Sequence, residues 1–204
     1  KEDHHKVEIL SINKQNNTTN YFPSDIPIKV LHEDGYRAPL PKSIVHNIKS
    51  LKFKLAYKEI KRRKMLAKKQ REVINYFSKF GNEDVFVIVV QVWGMQWIEP
   101  LLYQSNIRII GQSHESYIAT KNSHRYKRIL KYYRQVSKFL LLSERDAKRF
   151  EADGFNNTAY IFNPTPFRSD EKPSNLYNNK TIISTGRLVE EKGYDILIQA
   201  FARI

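Results

Sequence analysis

Apolar positions along this chain follow two rhythms. Val85, Phe86, Val87, Ile88, Val89 and Val90 form an unbroken run, which predicts a strand buried on both faces of a parallel sheet. Shorter apolar runs at residues 107–110, 138–142 and 158–162 predict three more strands, and the stretches 93–103 and 122–135 predict helices between them. Ser143, followed three residues later by Asp146, marks a helix start, and Gly154 its end. Strand and helix therefore alternate from residue 84 onward, the order of a doubly wound α/β domain. Upstream, residues 7–12 and 28–32 predict two further strands, and the Asn-rich segment 13–20 a loop.

The helical rhythm is longest over residues 43–80, with apolar residues at Ile44, Ile48, Leu51, Leu55, Leu66, Val73, Ile74 and Phe77. Ser43 is placed to cap its start and Gly81 to end it. Twelve Lys or Arg lie between Lys42 and Arg71 against a single acid, Glu59, so one face is core and the other basic. The cations are densest at Lys61, Arg62, Arg63 and Lys64, with Lys68 and Lys69 a turn further on. Such a face suits plain solvation, or an anionic membrane surface on which each cation adds ~1 kcal/mol, or nucleic acid. Nucleic acid ranks lowest, because the face lacks regular aromatic interleaving for base stacking.

Residues 181–204 bring strand, loop and helix together. A buried strand over 181–185 is expected to turn at Gly186 into a charged loop from Arg187 to Lys192. Gly193 then opens a helix with an apolar stripe at Leu197, Ile198, Phe201 and Ile204. Asp195 stands in the first turn, where a carboxylate suits the positive end of the dipole. A strand feeding a helix through a Gly-bounded loop aims backbone amides at one spot, and an anion, diphosphate above all, is its natural guest. A solvated charged loop is the plainer reading of Arg187 and Lys192.

Composition narrows the picture. The chain has 204 residues, enough for one core and part of a second, and no cysteine, which excludes disulfides and thiolate metal sites. A net charge of +14 favours anionic partners. No apolar run approaches the ~20 residues that span a bilayer. The adjacent His4 and His5, with no third ligand near them in sequence, read as exposed polar residues rather than a metal site. The first residues lack the apolar stretch of a signal peptide, and the chain starts at Lys1 rather than Met, so an upstream part is expected.

The run TGRLVEEKGYDILIQAF closely resembles the opening of the donor-sugar domain in family 4 glycosyltransferases of the GT-B fold. That family carries Gly-Arg-Leu, then Lys-Gly-x-Asp, then Leu-Ile-x-Ala-Phe. The resemblance implies that Arg187 and Lys192, beside Gly186, grip the diphosphate of a nucleotide sugar. It implies an acceptor-side Rossmann-like domain over residues 1–162, lacking its first strand, Gly-rich loop and first helix. An interdomain linker over 163–180, rich in Pro, Asn and Ser, would follow, and then the start of the donor domain over 181–204. The family's Glu-x7-Glu pair would lie beyond Ile204, so these residues are expected to be an incomplete enzyme, inactive alone.

Ligands of doubly wound folds collect at the carboxyl ends of the strands, and two loops there carry chemistry. Gln91, Trp93, Gly94, Met95 and Gln96 follow the first long strand; Gly111, Gln112, Ser113, His114 and Glu115 follow the next. GQSHESY resembles the family's cleft-facing His site, which makes His114 the acceptor-side candidate. Its role would be a hydrogen bond to donor sugar or acceptor. Glu115 could deprotonate an acceptor hydroxyl; a surface loop would carry both residues equally well. Trp93 and Trp97 suit core packing better than sugar stacking, and Asn163 suits an interdomain hinge or a local turn.

The resemblance thus implies a retaining glycosyltransferase that uses a nucleoside diphosphate sugar and no cofactor; the Asp-x-Asp motif usual in metal-dependent enzymes is absent, so no metal is expected. The acceptor would be a glycan, lipid-linked or polyol-phosphate hydroxyl of a bacterial cell surface. The expected location is cytoplasmic, at the inner face of the plasma membrane. Two alternatives stay open: a non-catalytic basic module for a membrane or polyanion, and a GT-B sugar-nucleotide epimerase that needs no acceptor.

Overall fold

The computed structural model describes residues 6–13, 25–32, 43–164 and 182–203, and the chain divides into two compact units, Lys1–Asn163 and Pro164–Ile204. His4 and His5, residues 14–20 of the loop expected over 13–20, and residues 165–180 of the linker lie outside the described residues, as does the Ser43 side chain proposed as a cap; Asn13 itself ends a strand.

The first unit begins with two short strands, β1 (Ile9–Asn13) and β2 (Ile28–His32), which pair in parallel as a sheet of their own. Leu10 and Ile12 of β1 pack against the main core. Two helices follow, α1 (Ser43–Lys49) and α2 (Phe53–Phe77). The main sheet comprises β3 (Val85–Val89), β4 (Ile107–Gln112), β5 (Lys138–Leu141) and β6 (Thr158–Tyr160), all parallel and adjacent in chain order. Parallel neighbours need crossovers. Here these are α3 (Met95–Ile98) between two 3-10 turns, then α4 (Tyr117–Lys121) with α5 (His124–Tyr132), then α6 (Glu144–Ala152). The result is α/β, a parallel sheet flanked by helices, compatible with a Rossmann-like fold.

Aromatic packing holds the helices to the sheet. Phe139 of β5 meets Tyr133 at 4.8 Å and Phe150 of α6 at 5.0 Å between ring centres, and Phe150 meets Phe155 at 5.4 Å. All four rings are buried, and edge-on contacts of this kind add to the area they remove from water. Val73 and Phe77 carry the far half of α2 into the same core, together with Trp97, Leu101 and Ile109.

Four sequence expectations need correction. The helix expected over 43–80 is broken between α1 and α2 by Leu51, whose φ is +55°. The Leu51 amide donates to Ile48 O (3.0 Å) and the Lys52 amide to Asn47 O (2.7 Å), the paired bonds of a Schellman C-cap, here built without glycine. The helix expected over 122–135 is shorter, α5 alone: Ser123 Oγ accepts the Arg125 and Tyr126 amides and caps its start, and α4 is a separate helix that lies before the expected span.

β3 is not buried on both faces. It lies at the edge of the four-stranded sheet, and Phe86, Ile88 and Val90 are exposed because no described element covers that side.

In the second unit, residues 182–185 form no strand, and Ile182 and Ile183 are exposed. A buried parallel strand needs neighbours on its edges and faces, and the described part of this unit supplies only a 3-10 turn (Glu190–Lys192) and α7 (Tyr194–Phe201).

Candidate functional site

Pairing of Ile88 with Ile110 and of Val89 with Gly111 brings β3 and β4 to an end side by side. Beyond their carboxyl ends lies a cavity of about 200 Å³, lined by Val90, Gln91 and Val92 after β3, by Gln112 at the end of β4 and residues 113–115 after it, and by Arg125 and Ile129 of α5. Of the two strand-end loops singled out in the sequence, the second contributes Gln112, Ser113, His114 and Glu115 to the lining and the first contributes Gln91 alone. His114 and Glu115 both line it and are exposed.

Tyr133, at the end of α5, forms the base beneath these strand ends. Its hydroxyl lies 3.2 Å from both Val89 O and Gln112 O and shares its one proton between them. Burial pushes the phenol well above its ordinary pKa, against the opposing effect of the bond to the Gln112 backbone, so it stays a donor. Ser113, buried, ties the loop to β5 through its amide and Leu140 O (3.0 Å), and its hydroxyl donates to Glu115 O (3.3 Å). This pinning turns the next two side chains outward.

Glu115 does not stand alone: its Oε2 is ion-paired with Arg125 Nη1. Sequence reading missed Arg125. The available signal was Ser123, whose N-cap position places Arg125 in the first turn of α5. For Glu115 to take a proton from a hydroxyl, the guanidinium must first give up that oxygen.

Asp153, the residue that follows α6, ties α4, α5 and α6 together. Lys121 Nζ lies 2.7 Å from each of its oxygens, and the Tyr117 hydroxyl (2.9 Å) and the Tyr126 hydroxyl donate to Oδ2. Burial raises the Asp153 carboxyl, but the bonds from Lys121, Tyr126 and Tyr117 outweigh it and hold the group below the usual carboxylate range. The two tryptophans follow the packing expectation. Trp97 is buried in the core, and Trp93 is half-buried with the Arg128 guanidinium 4.2 Å above its ring.

In the second unit, Arg187 and Lys192 are exposed on the loop that leads into α7. Gly193 has φ +61° and ψ 31°, a left-handed conformation that suits glycine, and the first turn of α7 has no side-chain cap. A Cβ on Gly186 would stand 2.8 Å from the Tyr194 hydroxyl oxygen, so the loop lies against the first residue of α7. Asn163 is exposed and is the last residue of the first unit.

The six cations marked on α2 do not share one environment. Lys61, Arg63, Lys64 and Lys68 are exposed. Arg62 reaches Glu59 (3.2 Å), which is buried, and Lys69 pairs with Glu72 (2.7 Å). No helix among the described residues is long and apolar enough to cross a membrane. Comparison of the chain with protein-family models, with curated proteins and with solved structures finds no match.

Proposed function

We propose that this chain is part of a retaining glycosyltransferase of the GT-B type, moving a sugar from a nucleoside diphosphate sugar to an acceptor hydroxyl. The observation that carries the reading is the loop from Gly186 to Gly193. It presents two exposed cations, and it opens a helix whose first-turn amides have no side-chain cap. When the bond from the anomeric carbon to the phosphate oxygen breaks, the electron pair leaves with the diphosphate. Prearranged cations and amides stabilise that charge as it forms. The anomeric carbon bonds to the acceptor oxygen, and the acceptor proton passes to a base or to solvent.

In this reading His114 hydrogen-bonds the donor sugar or the acceptor at the strand-end cavity. Glu115, released from Arg125, is the candidate base, and Asn163 is the hinge. The acceptor class is a glycan, lipid-linked or polyol-phosphate hydroxyl of a bacterial cell surface.

The test is release of nucleoside diphosphate by the full-length protein from a panel of nucleotide sugars, with and without acceptor. Acceptor-dependent release that falls roughly 10²-fold in Arg187→Ala supports the proposal. Consumption of a sugar nucleotide without any acceptor would point to an epimerase, and no consumption at all would sink both.

A further inference from the structure

The break at Leu51 creates a surface that a continuous helix would not have. Around the turn, the apolar residues Ile48, Leu51, Phe53, Tyr57 and Ile60 are all exposed, Leu51 by 76%, Phe53 by 61% and Tyr57 by 68%. Phe53, Tyr57 and Ile60 are spaced i, i+4, i+7 along α2, so they share one face. Lys64 and Lys68 continue that stripe by the same spacing, and Lys54, Lys58 and Lys61 flank it, all exposed. The opposite face of α2 is the one that buries Ala56, Glu59, Val73 and Phe77. Acids are nearly absent from the outer face: Glu59 points inward, and Glu72 is neutralised by Lys69.

We propose that the α1–α2 hairpin docks this protein onto an anionic lipid surface, with α2 lying along the membrane plane. Simple solvation explains the lysines but not Phe53, Tyr57 and Leu51 standing among them. A lipid interface accommodates both: rings and aliphatic chains enter the headgroup layer to a depth of about 5–10 Å, while lysine stems lie on the apolar surface and carry their charge to the phosphates. A nucleic acid fits less well. The exposed rings of this stripe are two, Phe53 and Tyr57, one turn apart, while the cations run on to Lys64 and Lys68 without further aromatic partners in it, so bases could stack along only a short part of the line of phosphate contacts. The proposal rests on different residues from the glycosyltransferase reading, and neither falls with the other.

The test is sedimentation of the full chain with vesicles of phosphatidylcholine containing phosphatidylglycerol, with pure phosphatidylcholine vesicles and poly(U) as comparisons. The expected result is partition onto the anionic vesicles alone, weakening as salt is added. Phe53→Ser with Tyr57→Ser, and separately Lys61→Glu with Lys64→Glu and Lys68→Glu, should each lower that partition roughly tenfold or more. The substituted side chains are exposed, and unchanged far-ultraviolet circular dichroism would show the helices intact. The proposal is overturned if the chain stays in the supernatant with anionic vesicles. It is equally overturned if the Phe53 and Tyr57 variant binds like wild type, or if poly(U) retains the chain more tightly than the vesicles do.

Discussion

The ring of Tyr133 lies so close over Gly111 that a Cβ on Gly111 would stand 2.6 Å from Tyr133 Cε1. The same tyrosine reaches the carbonyls of Val89 and Gln112. One side chain at the end of α5 therefore fixes both strand ends beneath the candidate cavity, and the absence of a side chain at residue 111 is what admits it. Gly111→Ala is expected to cost about 1–3 kcal/mol, as overpacking in a close-fitted core does. Urea unfolding would measure it, and adding Tyr133→Leu should recover part of the loss. An unchanged midpoint for Gly111→Ala would refute the contact.

Leu51 holds a left-handed conformation that costs an L-residue about 1–2 kcal/mol, and its exposed side chain leaves little burial to lose. Leu51→Gly removes that strain and gives back part of the gain as chain entropy. The net expectation is a stabilisation of about 0.5–1 kcal/mol, read as a higher midpoint in thermal or urea unfolding. A less stable variant would mean that the cap is not strained.

Glu8 accepts hydrogen bonds from Tyr76 and Lys79, which lower its pKa from 4.5 to about 2. A value depressed in the folded state means stabilisation that is full above the unfolded pKa and lost as pH falls through the folded one. Glu8→Gln should therefore be less stable than wild type at neutral pH, with the gap closing between about pH 4.5 and 2. Denaturant unfolding across that range checks it. A gap independent of pH would remove the ionised carboxylate from the explanation.

His114 lines the cavity but is exposed, so His114→Ala should change stability by no more than about 0.5 kcal/mol. Under the proposed activity its turnover should fall roughly 10²-fold. Glu115→Gln should lower turnover by about 10² or more if that carboxylate takes the acceptor proton. Steady-state kinetics beside a thermal melt separates the two effects. Full turnover in both variants would move the chemistry away from this cavity.

Much of the first unit was legible because its signals are local. Ser143 caps α6 through the Asp146 amide (3.2 Å) as its spacing suggests, and residues 28–32 form the strand their pattern predicts. The break at Leu51 was not legible, since neither Gly nor Pro marks it and a leucine rarely takes that conformation. Arg125 gave no signal of its own, since its pairing with Glu115 exists only once α5 is set against the loop after β4. Tyr133 gave no signal either, because its role exists only once α5 crosses beneath two strand ends. The stretch 181–185 has a strand's composition, but a strand is realised only by its neighbours.

Each strand of the main sheet pairs with the one that precedes it in the chain: β4 on β3, β5 on β4, β6 on β5. Assembly can therefore proceed in the order of synthesis, one crossover at a time, with every new strand docking on a neighbour that has already emerged. Each step closes only a short loop, so its entropic cost is small, and no pairing waits for a distant partner. A sheet of the same four strands in shuffled order would have to hold an unpaired edge open while the intervening chain was made.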